Sequence, residues 1–443
     1  MESISLEYQS PAVELKECFS SSTLNVMNFL NEIVMEYPHA ISFAPGRPPE
    51  HHFDVEKSFA AMHEYVRYAA VNAPGGQQQI WHELGQYNRT NGIINDLIAQ
   101  ELEIDEGIRI SPSSLLVTVG AQEAMAIILA GLFDPERDVL LASDPTYIGM
   151  TGLAKILGIR VLPVPSGDDG LEAEQVERAI QACFSSGRPR ALYDIPDFNN
   201  PLGTTLSLER RLALLDICRK HGMLLIEDNP YGMFRYECEK IPTIKALDKG
   251  GTVLYIGSFS KTLYPGLRLG YLIADQRVAG PEQVLAKELS KVKSLLTVNS
   301  SPVLQAIVGG ILLENKGSLR AIVKPKVEAI HRNRDVMLQS LSEGFSKFSG
   351  AVSWNRPQGG FFITVTLPFS FGEEELKTCA LQYGVIVCPM RYFAIANARH
   401  HQVRLSFSYV NEKQISEGIE RFAAFVEDRC RMVKIRAGSS MAT

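Results

Sequence analysis

The chain reads as an α/β protein: a mostly parallel sheet wrapped by helices, with a smaller α/β domain behind it. Two observations predict this. Short apolar and β-branched runs alternate with stretches of helical periodicity, the pattern of strands joined by crossover helices. The length, 443 residues, allows a large core and two domains, and the second is expected from about Lys324.

Composition narrows the function classes. Hydrophobic residues at 45% and charged residues at 21% are those of an ordinary globular protein, so a packed core is expected throughout. The net charge of −6 argues against a nucleic-acid binder, which would carry a basic patch or stripe. No run of 18 apolar residues exists, so no membrane span is expected. The first residues lack a basic segment followed by an apolar core, so no secretory signal is expected. Seven scattered cysteines without a C-x-x-C pair suit reduced thiols in a cytoplasmic protein better than a disulfide frame or a zinc site. No metal is expected.

Residues 1–40 form an arm with one amphipathic helix over 23–36. Residues 41–49, ISFAPGRPP, cannot be helical, because three prolines within five residues remove donors and fix φ. Helical periodicity over 53–68 ends in the turn cluster at 72–76, and 80–102 reads as one long helix. Leu115-Leu-Val-Thr-Val is a β-branched strand, and after Gly120 a helix starts at Ala121 and Gln122. A strand, a glycine and a helix N-terminus offer free N–H groups to an anion, though every α/β protein has several such junctions.

Further strands are expected over 138–142, 159–164 and 223–226, with helices over 171–184 and 208–221. Ser207 is placed to cap the latter. The strand 138–142 runs into Asp144-Pro-Thr-Tyr147, whose aromatic ring is either core or a platform. The strand 223–226 runs into Glu227-Asp-Asn-Pro-Tyr231, and an acid there is costly unless paired. Helices are expected over 281–299 and 302–331, and from 412 to 427, the last followed by a polar tail. Residues 385–388 and 403–408 read as strands. Arg404 inside that last alternating strand is expensive unless it meets an anion.

One stretch stands apart, 251–272, GTVLYIGSFSKTLYPGLRLGYL. A buried strand, 253–256, leads past Gly257 to Ser258, Ser260 and a single lysine, Lys261, with Arg268 seven residues on. Lysines usually sit on exposed helix faces. One placed in a tight apolar turn is a candidate for imine chemistry, because burial and cationic neighbours lower its pKa. Two serines and an arginine beside it suit a phosphate, so lysine and phosphate site together suggest pyridoxal phosphate. A strand-loop lysine facing water is the plain alternative.

The motif S-x-S-K-T-x-x-P-G-L-R-L-G-Y in this stretch resembles the cofactor-lysine segment of fold-type I pyridoxal-phosphate enzymes, the aspartate aminotransferase superfamily. The kynurenine and 2-aminoadipate aminotransferase branch is the better match. The resemblance implies a large domain with a seven-stranded-type sheet over 53–323, a small domain over 324–443, and an arm over 1–52 that joins the small domain. It implies Lys261 as the lysine that holds the cofactor as an imine and later moves a proton. It implies that Ser258, Ser260, Arg268, Ala121 and Gln122 hold the phosphate, and that Tyr147 stacks on the ring and assists catalysis. Y-x-x-P-x-F-x-N-P-x-G at 193–203 implies Asn200 at the phenolic oxygen and the substrate, with Tyr231 at the same oxygen and Asp228 at the ring nitrogen. Arg404 then forks the substrate's α-carboxylate, with Gly46 and the segment P-Q-G-G-F-F at 357–362 lining the pocket.

The implied activity is transfer of an amino group between an L-amino acid and a 2-oxo acid, ping-pong through pyridoxamine phosphate, in a cytoplasmic homodimer. A tyrosine usual in the family at position 71 is valine here, and Met390 departs from a usual glycine. Tyr68 lies one helical turn before position 71. These departures, with Arg47 and Arg391 beside pocket motifs, point to specialised amino-acid or natural-product biosynthesis, one of the two arginines meeting an acidic or polar group. The same constellation also serves cyclisation, elimination and decarboxylation. An effector-sensing regulator would need an added N-terminal DNA-binding domain, for which about 50 residues before the fold are too few.

Overall fold

The computed structural model describes residues 12–439, apart from 21, 186, 281, 282 and 349. The first eleven residues of the expected arm, the helix start expected at 281 and the last four residues of the tail lie outside the described residues.

The strands are β1 (Ile41–Ser42), β2 (Leu115–Thr118), β3 (Asp138–Asp144), β4 (Arg160–Pro165), β5 (Arg188–Asp194), β6 (Leu224–Asp228), β7 (Val253–Ser258), β8 (Gly270–Ile273), β9 (Ser353–Trp354), β10 (Phe362–Thr366), β11 (Val385–Ile386), β12 (Cys388–Pro389) and β13 (Gln402–Ser406). The large sheet has seven strands in the order β2-β8-β7-β6-β5-β3-β4. β8 alone runs antiparallel, against β2 and β7; the other six share one direction. β2, β3 and β8 are buried at every residue, as expected of strands covered on both faces. The edge strand β4 holds Pro163 and Pro165, residues that a central strand could not accept.

Behind this lies a four-stranded antiparallel sheet, β12-β13-β10-β9, covered by the helices Arg320–Gly344 and Glu412–Ser439. β1 pairs in parallel with β11 in a separate two-stranded sheet, so the segment before the large sheet is tied to the C-terminal part of the chain.

Four expectations are corrected. The helix over 80–102 is broken: helices Gly76–Leu84 and Asn95–Glu101 flank a loop. The loop packs on β2, where Gly92 holds φ +117° and a Cβ would meet Val117 Cγ2 at 2.3 Å. The Val117 N–H donates to the Asn91 carbonyl at 2.8 Å, so contact with the sheet overrides local periodicity. Residues 302–331 are likewise two helices, Pro302–Glu314 and Arg320–Gly344, parted where Lys316 and Gly317 take positive φ. Residues 385–388 are not one strand, because the chain leaves β1's partner at Ile386 and joins β13 at Cys388. The last helix continues beyond 427 to Ser439, with an Arg431–Glu427 pair on consecutive turns.

Helix Pro302–Glu314 lies close against helix Val55–Ala70, and Gly310 is what permits it. A Cβ at Gly310 would sit 1.7 Å from the Ala61 carbonyl oxygen. Gly310→Ala is therefore expected to destabilise the fold by about 1–3 kcal/mol. Thermal unfolding at the wild-type Tm would contradict this close approach.

Candidate active site

The site forms where the parallel strands of the large sheet end, beside segments around the four-stranded sheet. Asp228 closes β6 and is buried. Strand alternation sends its neighbour Glu227 to the opposite face, where the carboxylate accepts the N–H groups of Ile244 and Lys245 at 2.9 and 2.7 Å. Asp228 Oδ2 accepts the Tyr193 hydroxyl at 2.8 Å, while Oδ1 is buried without a partner. Burial raises this carboxyl to about 7, and the Tyr193 hydrogen bond opposes the rise.

Lys261 sits on a short helix, Phe259–Thr262, started by the Ser258 hydroxyl accepting the Ser260 N–H at 3.2 Å. Its Nζ donates to the Gly46 carbonyl at 2.7 Å. Burial, then the Arg47, Arg268 and Arg404 guanidinium groups, lower the amine to about 8. Arg268 takes φ 46° after the turn Pro265–Leu267 and passes close over Gly120, where a Cβ would lie 2.8 Å from its guanidinium. Gly120, at φ +69°, opens the helix Gly120–Leu132, so the free N–H end of that helix, the Ser258 turn and Arg268 meet at one place.

Asn200 stands on a loop anchored by Arg211, whose buried guanidinium reaches both carboxylate oxygens of Asp197, at 3.1 and 2.8 Å. Asn200 Oδ1 accepts from Arg404 at 2.8 Å. Arg404, on β13, also donates to the Ala44 carbonyl, and its guanidinium lies between the rings of Phe362 and Phe393, 4.3 and 4.5 Å from their centroids. Its Nε is buried without a partner. Gly46 is required for this packing, since a Cβ there would meet the Phe362 ring at 2.5 Å. Tyr147 approaches Gln122 Oε1 at 3.3 Å, and burial, then Asp228, raise its hydroxyl to about 12. Tyr231 packs edge-on against Phe361 and Phe362.

One cavity of about 240 Å³ is lined by Lys261, Asp228, Tyr147, Tyr231, Asn200, Ala121, Gln122, Ser258, Ser260, Arg268, Arg404 and Gly46, whereas of the segment 357–362 expected at the pocket only Phe362 reaches it. Arg47 lines it too. Arg391 does not: it pairs with Glu373 at 3.2 Å and lines a separate groove with Phe29 and Tyr392. In the turn Met390–Phe393 it is Met390 and Phe393 that are buried, and Phe393 reaches the site. Val71 is exposed, and Tyr68 donates to Asp96 at 2.6 Å beside a different groove. Sequence reasoning gave no role to Tyr193, Phe393, Met27, Met125 or Ile195. A tyrosine or isoleucine in an apolar strand carries no signal separating a site wall from core.

An unsatisfied buried carboxylate oxygen, a buried amine of lowered proton affinity and a helix N-terminus beside an arginine fit what a pyridoxal-phosphate cofactor would need. The comparisons agree. The family described as aminotransferase class I and II matches residues 69–422, and the chain belongs to that family. The (S)-3,5-dihydroxyphenylglycine transaminase of Amycolatopsis orientalis is 42% identical over 432 residues, 97% of this chain and 98% of that protein. The crystal structure of the multiple substrate aminotransferase from Thermococcus profundus superposes with TM-score 0.81 at 26% identity, covering 94% of this chain and 98% of that one. The kynurenine aminotransferase of Pyrococcus horikoshii, solved with PMP, gives TM-score 0.78 at 26% identity, covering 94% and 97%. The chain is a pyridoxal-phosphate-dependent transaminase acting between an amino acid and a 2-oxo acid. No helix among the described residues is long and apolar enough to cross a membrane.

The Asp228 carboxyl yields a pH prediction for the cofactor-free protein. Its folded pKa, about 7, lies above the unfolded value, so the folded state binds a proton that the unfolded chain releases. The resulting stability is present below about pH 4 and lost as pH rises through about 7, roughly 4 kcal/mol for a shift of about three units. Asp228→Asn removes this term. Relative to wild type, the variant is expected to gain Tm between about pH 5 and about pH 8. An unchanged or reversed difference between the two melting curves would contradict the burial of a carboxyl with one oxygen unpartnered.

Proposed function

We propose that this transaminase handles an aromatic pair, an arylglycine and its aryl 2-oxo acid, in specialised amino-acid biosynthesis. The observation that carries this is the 42% identity, over nearly the whole of both chains, to a dihydroxyphenylglycine transaminase. The cavity walls support it: Phe362, Phe393, Tyr147, Ile195, Met27 and Met125 offer an apolar, largely aromatic surface. Arg47 lines the same cavity and is the remaining candidate to meet a polar substituent on the ring, Arg391 being turned away.

Bound here, pyridoxal phosphate supplies an aldehyde carbon and an electron-accepting ring. Asp228 keeps a proton on the ring nitrogen, because its unpartnered Oδ1 is an acceptor already paid for by the fold. Asn200 and Tyr231 would hold the phenolic oxygen of the cofactor, and Tyr147 would hold its ring. Arg268, Ser258, Ser260 and the amides of Ala121 and Gln122 hold the phosphate. Arg404 orients the substrate carboxylate, and Lys261 Nζ takes the proton from Cα as general base, which a pKa near 8 suits.

A cytoplasmic homodimer is proposed as the working form, with domain limits at 1–52, 53–323 and 324–443. Support for the dimer is the exposed apolar set Val71, Leu295, Leu296 and Val298. Sedimentation at micromolar concentration is expected to give twice the 49.0 kDa chain mass, and a monomer alone would refute it.

The substrate reading is tested by the first half-reaction. The holoenzyme is mixed with phenylglycine, 3,5-dihydroxyphenylglycine, kynurenine, 2-aminoadipate and alanine, and loss of the enzyme-bound cofactor absorbance is followed. An arylglycine is expected to react about 10-fold or more faster than 2-aminoadipate or alanine, a gap of about 1.4 kcal/mol. The reverse order would overturn the aromatic assignment.

A further inference from the structure

The helix Arg320–Gly344 contributes no residue to the lining of the site cavity, yet its buried face holds two segments that do. Lys326 and Asn333 lie seven residues apart, two helical turns, so their side chains leave one face, with fully buried Ile330 between them. Lys326 is 2% exposed. Its Nζ donates to the carbonyls of Thr262 and Leu263, at 2.5 Å each. These carbonyls close the short helix Phe259–Thr262, which carries Lys261. A helix that short leaves its last carbonyls without internal partners. A lysine is an expensive residue to bury for this purpose, and burial alone pushes its amine down to about 8.

The other end of the span is held in the same way. Asn333 donates to the carbonyls of Phe407 and Val410, at 2.9 and 2.7 Å. Both lie just past β13, the strand of Arg404. Arg334, next to Asn333, donates to the Pro357 carbonyl at 3.0 Å, at the start of the segment that brings Phe362 against Arg404.

We propose that Lys326 and Asn333 are positioning residues, and that the helix between them is a spacer fixing the Lys261 turn relative to the Arg404 strand. The proposal rests on the roles given above to Lys261 and Arg404. A substrate held at its carboxylate by Arg404 presents Cα to Lys261 Nζ only if that separation is kept. A misplacement of about 1 Å between a binding group and a reacting group costs about 100-fold in rate. Side chains that donate to backbone carbonyls hold the main chain itself, so both ends of the span are fixed without occupying the cavity.

The test compares holoenzymes of wild type, Lys326→Met and Asn333→Ala. In wild type, borohydride without substrate is expected to fix the cofactor on the peptide containing Lys261. In Lys326→Met, imine formation from added pyridoxal phosphate should slow about 10-fold or more, while affinity for pyridoxamine phosphate, which forms no bond to lysine, stays within about three-fold. In Asn333→Ala, imine formation should stay within about two-fold of wild type, and KM for the amino donor should rise about 10-fold. A wild-type imine rate in Lys326→Met, or equal losses for both cofactor forms, would show a structural clamp only and overturn the proposal. Should Lys326→Met fail to fold, Asn333→Ala decides, and an unchanged KM overturns the proposal. Absence of label on the Lys261 peptide in wild type would bring down the site assignment, and the spacer with it.

Discussion

The buried carboxylate of Asp228 is the constraint that the large sheet serves. An ionised acid without solvent costs several kcal/mol unless a partner compensates. The fold compensates half of it: Tyr193 satisfies Oδ2 and nothing among the described residues satisfies Oδ1. The contrast with Glu227 shows that this is local design. One residue earlier on the same strand, that carboxylate is equally buried and receives two backbone N–H groups. Two adjacent acids on opposite faces of β6 therefore do different things, one locking a helix start and one keeping an acceptor open toward the cavity.

Lys261 shows the same logic with the opposite sign. Its amine is buried among three guanidinium groups, and both effects favour the neutral form that attacks a carbonyl and accepts a proton. In the roles proposed for Arg268 and Arg404, the cations that would bind anions also tune the base of the site. This group draws on segments around both the large and the four-stranded sheet. Gly46 and Arg404 belong to the segments around the small sheet, while Asp228, Lys261 and Arg268 follow strands of the large one. The joint is stiffened by Asp144, which accepts the N–H groups of Ile395, Ala396 and Asn397 at 2.8, 3.1 and 2.9 Å, and by the Thr146 N–H on the Phe393 carbonyl.

What the sequence made legible was chemistry written contiguously. The turn 258–268 holds a lysine, two serines and an arginine within reach of one another whatever the rest of the fold does. Strand assignments in the large sheet held because short apolar runs have few other solutions, whereas the strand expected over 385–388 divides between two partners. Helix limits failed where local turn signals were outweighed by periodicity: Gly85 and Asn91-Gly92 lie inside the window 80–102, and the contact of Gly92 with Val117 shows why the helix breaks there. Arg391 failed for a different reason. Phe393, two residues on, does reach the site, but one turn of 3₁₀ helix buries Met390 and Phe393 and sends Arg391 out to Glu373. Proximity in sequence to a pocket motif says nothing about side-chain direction at that resolution of one residue. Lys326 was invisible for the complementary reason, since a lysine in a polar helix reads as solvated until its carbonyl partners are seen.

The residues that hold a substrate also bear on which of its bonds breaks. Loss of the α-carboxylate as carbon dioxide requires its negative charge to leave the carboxylate and pass into the ring. A carboxylate held by Arg404 in its proposed role would face a buried guanidinium that stacks between two phenylalanines and cannot follow that charge. The ion pair would then stabilise the ground state more than a decarboxylating transition state, which raises that barrier. Removal of the Cα proton leaves the carboxylate charge where it is, so the same ion pair persists through that step. With Lys261 Nζ as the buried base of the site, the electrostatics of Arg404 alone favour proton transfer over decarboxylation. The preference follows from where charge is allowed to move, and it agrees with the transaminases among this chain's relatives.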